Sequence, residues 1–216
     1  MIKNIFFDLD GTLFDSSIGI IKAVKYALKN FDIEIEDKQF LERYIGPPLI
    51  DCFVEFNKLS IEDAQKALKF YRDYYNSVGK YENSPYNGIE QMLEELKSLG
   101  VNLFIATSKP EDVMSDIVNH FNFAKYFKCA YGASLDSKRN KKTSVIKYAL
   151  ESAKVNPEQS IMVGDHKHDI CGAKDNGLKS VAVTYGYGDK IELKNSQPNY
   201  IVNNVEQLKK LLISLV

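Results

Sequence analysis

Two aspartates, Asp8 and Asp10, follow directly on the apolar run Ile5, Phe6, Phe7 in the stretch KNIFFDLDGTLFDSS. On an extended backbone, side chains two residues apart lean to the same side, so both carboxylates can serve one site. Taken alone, DLDG also reads as a surface turn, since Asp and Gly are ordinary turn formers. The buried-looking strand before it and the acids further on favour a site. GDHKHD supplies Asp165 and Asp169, four residues apart across a strand-to-helix turn. An oxygen-only ligand set suits a hard cation, and magnesium takes one or two carboxylates while keeping waters and phosphate oxygens. His166 and His168 lack a third nitrogen or sulfur ligand for zinc and read as solvated or substrate-facing.

Two further stretches could handle an anion. IATSKPEDV reads as a strand end running into a helix, with Pro110 in the first turn and Glu111 and Asp112 near the positive helix end. The hydroxyls of Thr107 and Ser108 and the free N–H groups there form a natural phosphate seat, though helix capping accounts for them equally. SKRNKKTSVIKYAL sets Lys141 and Lys142 just before a helix. Basic loop residues are usually a solvated face, but a phosphate site crowded with carboxylates needs a cation, and one of these lysines could supply it.

These residues have to be delivered to one place. Ile5 to Phe7 has no helical stripe and stops at a Gly, which suits a strand buried on both faces of a parallel sheet. From about residue 16 to 78 the apolar residues recur at helical spacing, clearest in Ile61, Ala64, Ala67/Leu68, Tyr71 and Tyr75, with a break at GPPL. After the loop ENSPYNG, strand and helix alternate: a helix from Ile89 to Leu99 ended by Gly100, then the strand VNLFIATS. A helix near Pro110 to His120 and the strand FKCAYG come next, then a helix from about Thr143 to Ala153 and the strand SIMVGD. A helix ending near Gly177, the strand KSVAVTY and a closing helix over Val205 to Leu212 complete the pattern. Such alternation implies an α/β fold, a Rossmann-like parallel sheet with helices on both faces, interrupted by an all-helical insertion. The expected core is 1–15 with 83–216 and the expected helical cap is 16–82. Ligands of open parallel sheets bind beyond the carboxyl ends of the strands, where Asp8, Asp10, Thr107, Ser108 and Asp165 all fall.

Composition narrows the function. The 216 residues carry 28 Lys and Arg against 29 Asp and Glu, a net charge of -1. No basic field exists to attract nucleic acid or an anionic membrane. Cys52, Cys129 and Cys171 are too few and too scattered for a disulfide framework or a zinc cluster. Charge by Asp8 comes too soon for a signal peptide, and no stretch approaches the roughly 20 apolar residues of a membrane span. A cytoplasmic protein is expected.

Together, DLDGT (Asp8 to Thr12), Thr107, Lys142 and GDHKHD resemble the four motifs of the haloacid dehalogenase superfamily, in its phosphatase branch with an inserted helical cap. YIGPPL, VGDHKHD and YGYGDKIEL bring it closest to phosphoglycolate phosphatase-like and 5′-nucleotidase-like members. The resemblance covers nearly the whole chain and implies a magnesium-dependent phosphomonoester hydrolase acting on a small phosphorylated metabolite. Asp8 is then the nucleophile that forms an aspartyl-phosphate, and Asp10 the acid and base. Asp8, the backbone carbonyl of Asp10 and Asp165 hold Mg2+, with Asp169 a ligand through water or a group that orients the others, and Thr107 and Lys142 hold the phosphoryl oxygens, with Ser108 as helper. Lys141 stands in if the third motif is displaced by one residue. The cap is expected to close over the site and bind the leaving group, near Gly46, Pro47 and Pro48 and through Arg43, which fits an exposed helix position as readily. The acid at position 10 separates this chain from dehalogenating members. A phosphomutase of the β-phosphoglucomutase type uses the same residues, and a phosphate-binding regulatory protein on the same scaffold is the alternative outside enzymes. A signalling receiver domain shares the chemistry but lacks the large helical insertion.

Overall fold

The structure, a computed structural model, describes residues 1–134 and 138–216. The chain divides into two compact units, Met1–Phe14 with Pro85–Val216, and Asp15–Ser84. In chain order, β1 (Asn4–Phe7) and the short β2 (Phe14–Asp15) precede four helices: α1 (Ser17–Lys29), α2 (Lys38–Glu42), α3 (Leu49–Asn57) and α4 (Ile61–Ser77). The short β3 (Ser84–Pro85) leads to α5 (Ile89–Ser98), β4 (Asn102–Pro110), α6 (Glu111–His120), β5 (Cys129–Ala133) and α7 (Lys142–Ala153). Then come β6 (Ser160–Gly164), α8 (Lys167–Asp175), β7 (Lys179–Val183), α9 (Lys190–Asn195), β8 (Tyr200–Val202) and α10 (Val205–Leu215).

The larger unit is built on a six-stranded sheet in the order β5-β4-β1-β6-β7-β8, every pair of it parallel. Its central strand is the apolar run seen in the sequence: Ile5, Phe6 and Phe7 are each fully buried. Phe6 stacks on Phe104 of β4 with ring centroids 4.8 Å apart. Burying a side chain of this size contributes about 1.5–3 kcal/mol, so this run alone anchors the sheet. The register is pinned at the other edge by polar groups. Asn4 pairs with Asn102 and with Ser160 along the two neighbouring strands, and it hydrogen-bonds to both side chains, at 2.8 Å and 3.3 Å. With that edge fixed, Phe7 lies level with Ile105 and Val163. Asp8 therefore emerges beside the ends of β4 and β6.

The unit Asp15–Ser84 is all-helical apart from its terminal strand residues. Buried faces of α1 (Ile20, Ala23, Val24, Ala27, Leu28) and α4 (Ala64, Ala67, Tyr71, Tyr75) form its centre. Tyr71 and Tyr75, one turn apart, stack at 5.3 Å. Ile61, counted in that stripe from the sequence, is exposed: it is the first residue of α4, directly after the Ser60 cap that accepts from Asp63 N–H. Two elements of the larger unit go beyond the sequence reading. The helix α9 begins where Asp189 accepts hydrogen bonds from Ile191 and Glu192, and β8 is only three residues long. In addition, β4 runs through to Pro110, which caps α6 and is not in its first turn.

Candidate active site

The ends of β1, β4 and β6 and the starts of α7 and α8 meet around a buried cluster of charges. Asp8 is the first residue beyond β1, and its N–H donates to Val163 O at 2.9 Å. The chain then turns sharply: Leu13 and Phe14 N–H groups both return to Leu9 O at 3.0 Å, and Gly11 takes φ +75°. A side chain at Gly11 would be strained at that φ and would strike Asp165 Oδ2 at 2.2 Å. Glycine in DLDGT therefore admits the Asp165 carboxylate of GDHKHD.

Lys142, the first residue of α7, is buried and donates to Asp8 Oδ1 at 2.6 Å and to Ala106 O at 3.2 Å. Its Nζ also stands 2.8 Å from Asp169 Oδ1, an ion pair lying out of line for a hydrogen bond. Lys141, by contrast, is the exposed cap residue of the same helix. Asp169 is fully buried, and its Oδ2 accepts from His166 N–H at 3.0 Å, closing the first turn of α8. Asp165 is held on both sides: Oδ2 accepts from Tyr187 N–H at 2.8 Å, and Oδ1 lies 3.5 Å from the Thr12 hydroxyl.

Burial sets the electrostatics. It pushes the Asp8 carboxyl up against the opposing pull of Lys142, and the Asp169 charge pushes the same way. Asp165 is driven well above the usual carboxylate value, first by burial and then by the Asp8 and Asp169 charges. For Lys142, burial works against the ammonium, but the Asp169 and Asp8 charges outweigh it and hold the group above an ordinary lysine. The His168 ring is pulled down by burial and by its stacked neighbour His166, with centroids 5.7 Å apart.

Asp8, Asp165 and Asp169 each present a carboxylate oxygen within 4.8 Å of the others. Three acids face one ammonium, which leaves the cluster short of positive charge. A small divalent cation with oxygen preference fits this set and would supply the missing charge.

Thr107 is buried one residue beyond Ala106, the carbonyl that receives Lys142, and its hydroxyl accepts from Lys109 N–H at 3.3 Å. Ser108 is exposed, on the opposite side of the strand from Thr107. The residue that shares Thr107's side is Lys109. Its Nζ reaches both oxygens of Asp10, at 2.9 Å and 2.7 Å. Lys109, Thr12 and Tyr187 were not singled out from the sequence. The two-residue period of a strand, counted from Thr107, would have found Lys109. Arg43 and Gly46 belong to the helical unit. The Arg43 guanidinium lies over the rings of Phe56 and Phe40, 4.1 Å and 5.3 Å from their centroids, and Gly46 has φ +106°.

The sequence pattern of the haloacid dehalogenase-like hydrolase family matches residues 5–183. A 5′-nucleotidase of Pseudomonas aeruginosa is 39% identical over 98% of this chain and 96% of its own. The tyrosine-protein kinase PtkA of Mycobacterium tuberculosis is 36% identical over 85% of this chain and 62% of its own. A phosphoglycolate phosphatase of Vibrio vulnificus is 28% identical over 96% of this chain and 94% of its own. Among solved structures, a predicted phosphatase from Clostridium acetobutylicum is 45% identical, covers 99% of both chains and superposes with a TM-score of 0.93.

Proposed function

Since the chain belongs to the haloacid dehalogenase-like hydrolase family, we propose that it is a magnesium-dependent, cytoplasmic phosphatase that cleaves small phosphate monoesters through a phosphorylated Asp8. The observation that carries this reading is the Asp8 carboxylate at a strand end, hydrogen-bonded at 2.6 Å to a buried lysine and packed with two more acids. A structural ion pair needs neither the extra carboxylates nor their position at the mouth of a parallel sheet.

In the first half-reaction Asp8 Oδ attacks phosphorus, the bond to the leaving oxygen breaks, and Asp10 gives that oxygen its proton. In the second, Asp10 takes a proton from water as the water attacks phosphorus and frees Asp8. Lys142 and Thr107 bind the equatorial phosphoryl oxygens; the ammonium is already desolvated, so its charge acts at full strength on the charge that develops there. Magnesium held by Asp8, the Asp10 carbonyl, Asp165 and Asp169 would offset the repulsion between an anionic nucleophile and an anionic ester. The three free cysteines agree with a reducing compartment.

For the substrate, phosphoglycolate and nucleoside monophosphates lead, supported by the names of the relatives. Arg43 and Gly46 are the residues proposed for the ester's other end. The test is phosphate release from a panel of phosphoglycolate, nucleoside monophosphates and hexose phosphates, with and without magnesium, for wild type and Asp8→Asn. Magnesium-dependent release lost in the variant is the expected result. Interconversion of hexose phosphates without release would replace hydrolase by mutase, and silence in all arms would leave only a binding scaffold.

A further inference from the structure

The chelate between Lys109 and Asp10 has no place in the scheme above. Its two contacts, 2.9 Å and 2.7 Å, engage both carboxylate oxygens at once, and the Lys109 side chain is only 7% exposed. A solvated lysine gains almost nothing by giving up its rotamer freedom for one ion pair, so this one is held by its surroundings. The backbone is shaped to deliver it. Between Ala106 and Pro110 the strand β4 takes four steps while its neighbour β5 takes two, from Tyr131 to Ala133. Irregularities of this kind re-aim side chains next to active sites, and Thr107 and Lys109 lie within it. Lys109 N–H is in turn fastened to the Thr107 hydroxyl at 3.3 Å. Close behind, Gly132 of β5 leaves room where a Cβ would come within 2.6 Å of Lys109 O.

On the phosphatase reading above, we propose that Lys109 is a positioning residue for the second half-reaction: it holds Asp10 as an aimed carboxylate, ready to take the proton of the water that hydrolyses the Asp8 phosphoester. An ammonium on both oxygens fixes the plane of the Asp10 carboxylate and the direction in which it meets the attacking water. With a leaving group that departs without an acid, Asp10 is needed for phosphoenzyme breakdown alone, and Lys109 acts there through it.

The experiment is rapid-mix kinetics on the full-length enzyme with magnesium and p-nitrophenyl phosphate, whose leaving group departs without an acid. The nitrophenol burst reads formation, and acid-quenched phosphate label on the protein reads breakdown, for wild type, Lys109→Met, Lys109→Arg, Asp10→Asn and the double variant. In Lys109→Met the burst rate is expected to stay within about 3-fold of wild type, while breakdown slows about 10-fold or more, within the range of general base catalysis. The label accumulates accordingly, Lys109→Arg recovers part of the loss, and the double variant is no slower than Asp10→Asn alone. A higher KM with unchanged kcat would overturn the assignment in favour of substrate binding. Multiplicative losses in the double variant would show that Lys109 does not act through Asp10. Equal slowing of burst and breakdown would mark a structural residue. Absence of both turnover and label in wild type would instead sink the phosphatase reading itself.

Discussion

Lys142 Nζ lies 2.6 Å from Asp8 Oδ1 and 2.8 Å from Asp169 Oδ1, so one buried ammonium ties the end of β1 to the first turn of α8. The residues it joins stand 134 positions apart in the case of Asp8, and the side chains concerned are 5%, 13% and 0% exposed. Removing a member of such a set costs more than the set contributes, because the remaining charges stay buried without compensation.

Lys142→Met is therefore expected to destabilise the fold by about 3–5 kcal/mol at neutral pH and to abolish phosphatase activity. Urea denaturation at pH 7 and pH 5 provides the check. The loss should shrink at the lower pH, where protons neutralise the stranded carboxylates. An equal loss at both would place the cost in packing.

Asp165 makes stability depend on pH and on metal. Its folded pKa lies well above the usual 3.8. Between those two values the folded state binds the extra proton, so stability falls as pH rises through that window. Asp165→Asn keeps an acceptor for Tyr187 N–H and removes the buried charge, and it should raise stability at pH 7. Magnesium should raise the melting temperature of wild type more at pH 7 than at pH 5 and leave the variant nearly unmoved. Calorimetric scans across pH, with and without the metal, test both statements.

Gly188 is the tightest of the contacts around that acid. A Cβ there would come within 1.8 Å of Asp165 O, a backbone atom that cannot swing aside. Gly188→Ala should push the loop off Asp165 and break the Tyr187 hydrogen bond, weakening magnesium binding by about 10-fold or more. Titration calorimetry with the metal alone reads this without any turnover.

At the opposite edge of the sheet, stability and activity should separate. Asn4→Ala removes the partner of Asn102 and Ser160, at a cost of about 1–3 kcal/mol. The kcat below the melting transition should stay within 2-fold of wild type. A larger drop would mean that the polar ladder sets the height at which Asp8 emerges.

Much of this was legible because the signals were local. The run Ile5 to Phe7, the acids after it and the alternation of strand and helix each follow from nearest-neighbour physics, and so did the expected parallel sheet. Lys142 was separable from Lys141 only by burial, which depends on where α7 docks. Lys109 carries no signal in a reading that ends the strand at Ser108 and starts the helix at Pro110; the backbone stays in strand conformation through Pro110, and side-chain alternation turns Lys109 inward and Ser108 outward. The three-residue β8 and six-residue α9 were too short for a periodic signal, although Asp189 before KIEL carries the cap.

The sheet order also dictates how the molecule comes into being. The strand leading to Asp8 leaves the ribosome before both of its partners, which come far later, starting at Asn102 and Ser160. Until Val163 has emerged, Ile5, Phe6 and Phe7 have no complete slot to occupy and remain sticky, exposed hydrocarbon. Loop closure over such separations is slow, and chains caught in this state are prone to aggregate. The strand that leads to Asp8 is thus synthesised well before its partners and is among the last to be enclosed. Production of this protein should gain more from lower temperature or chaperone supply during synthesis than from any stabilising change to its helices.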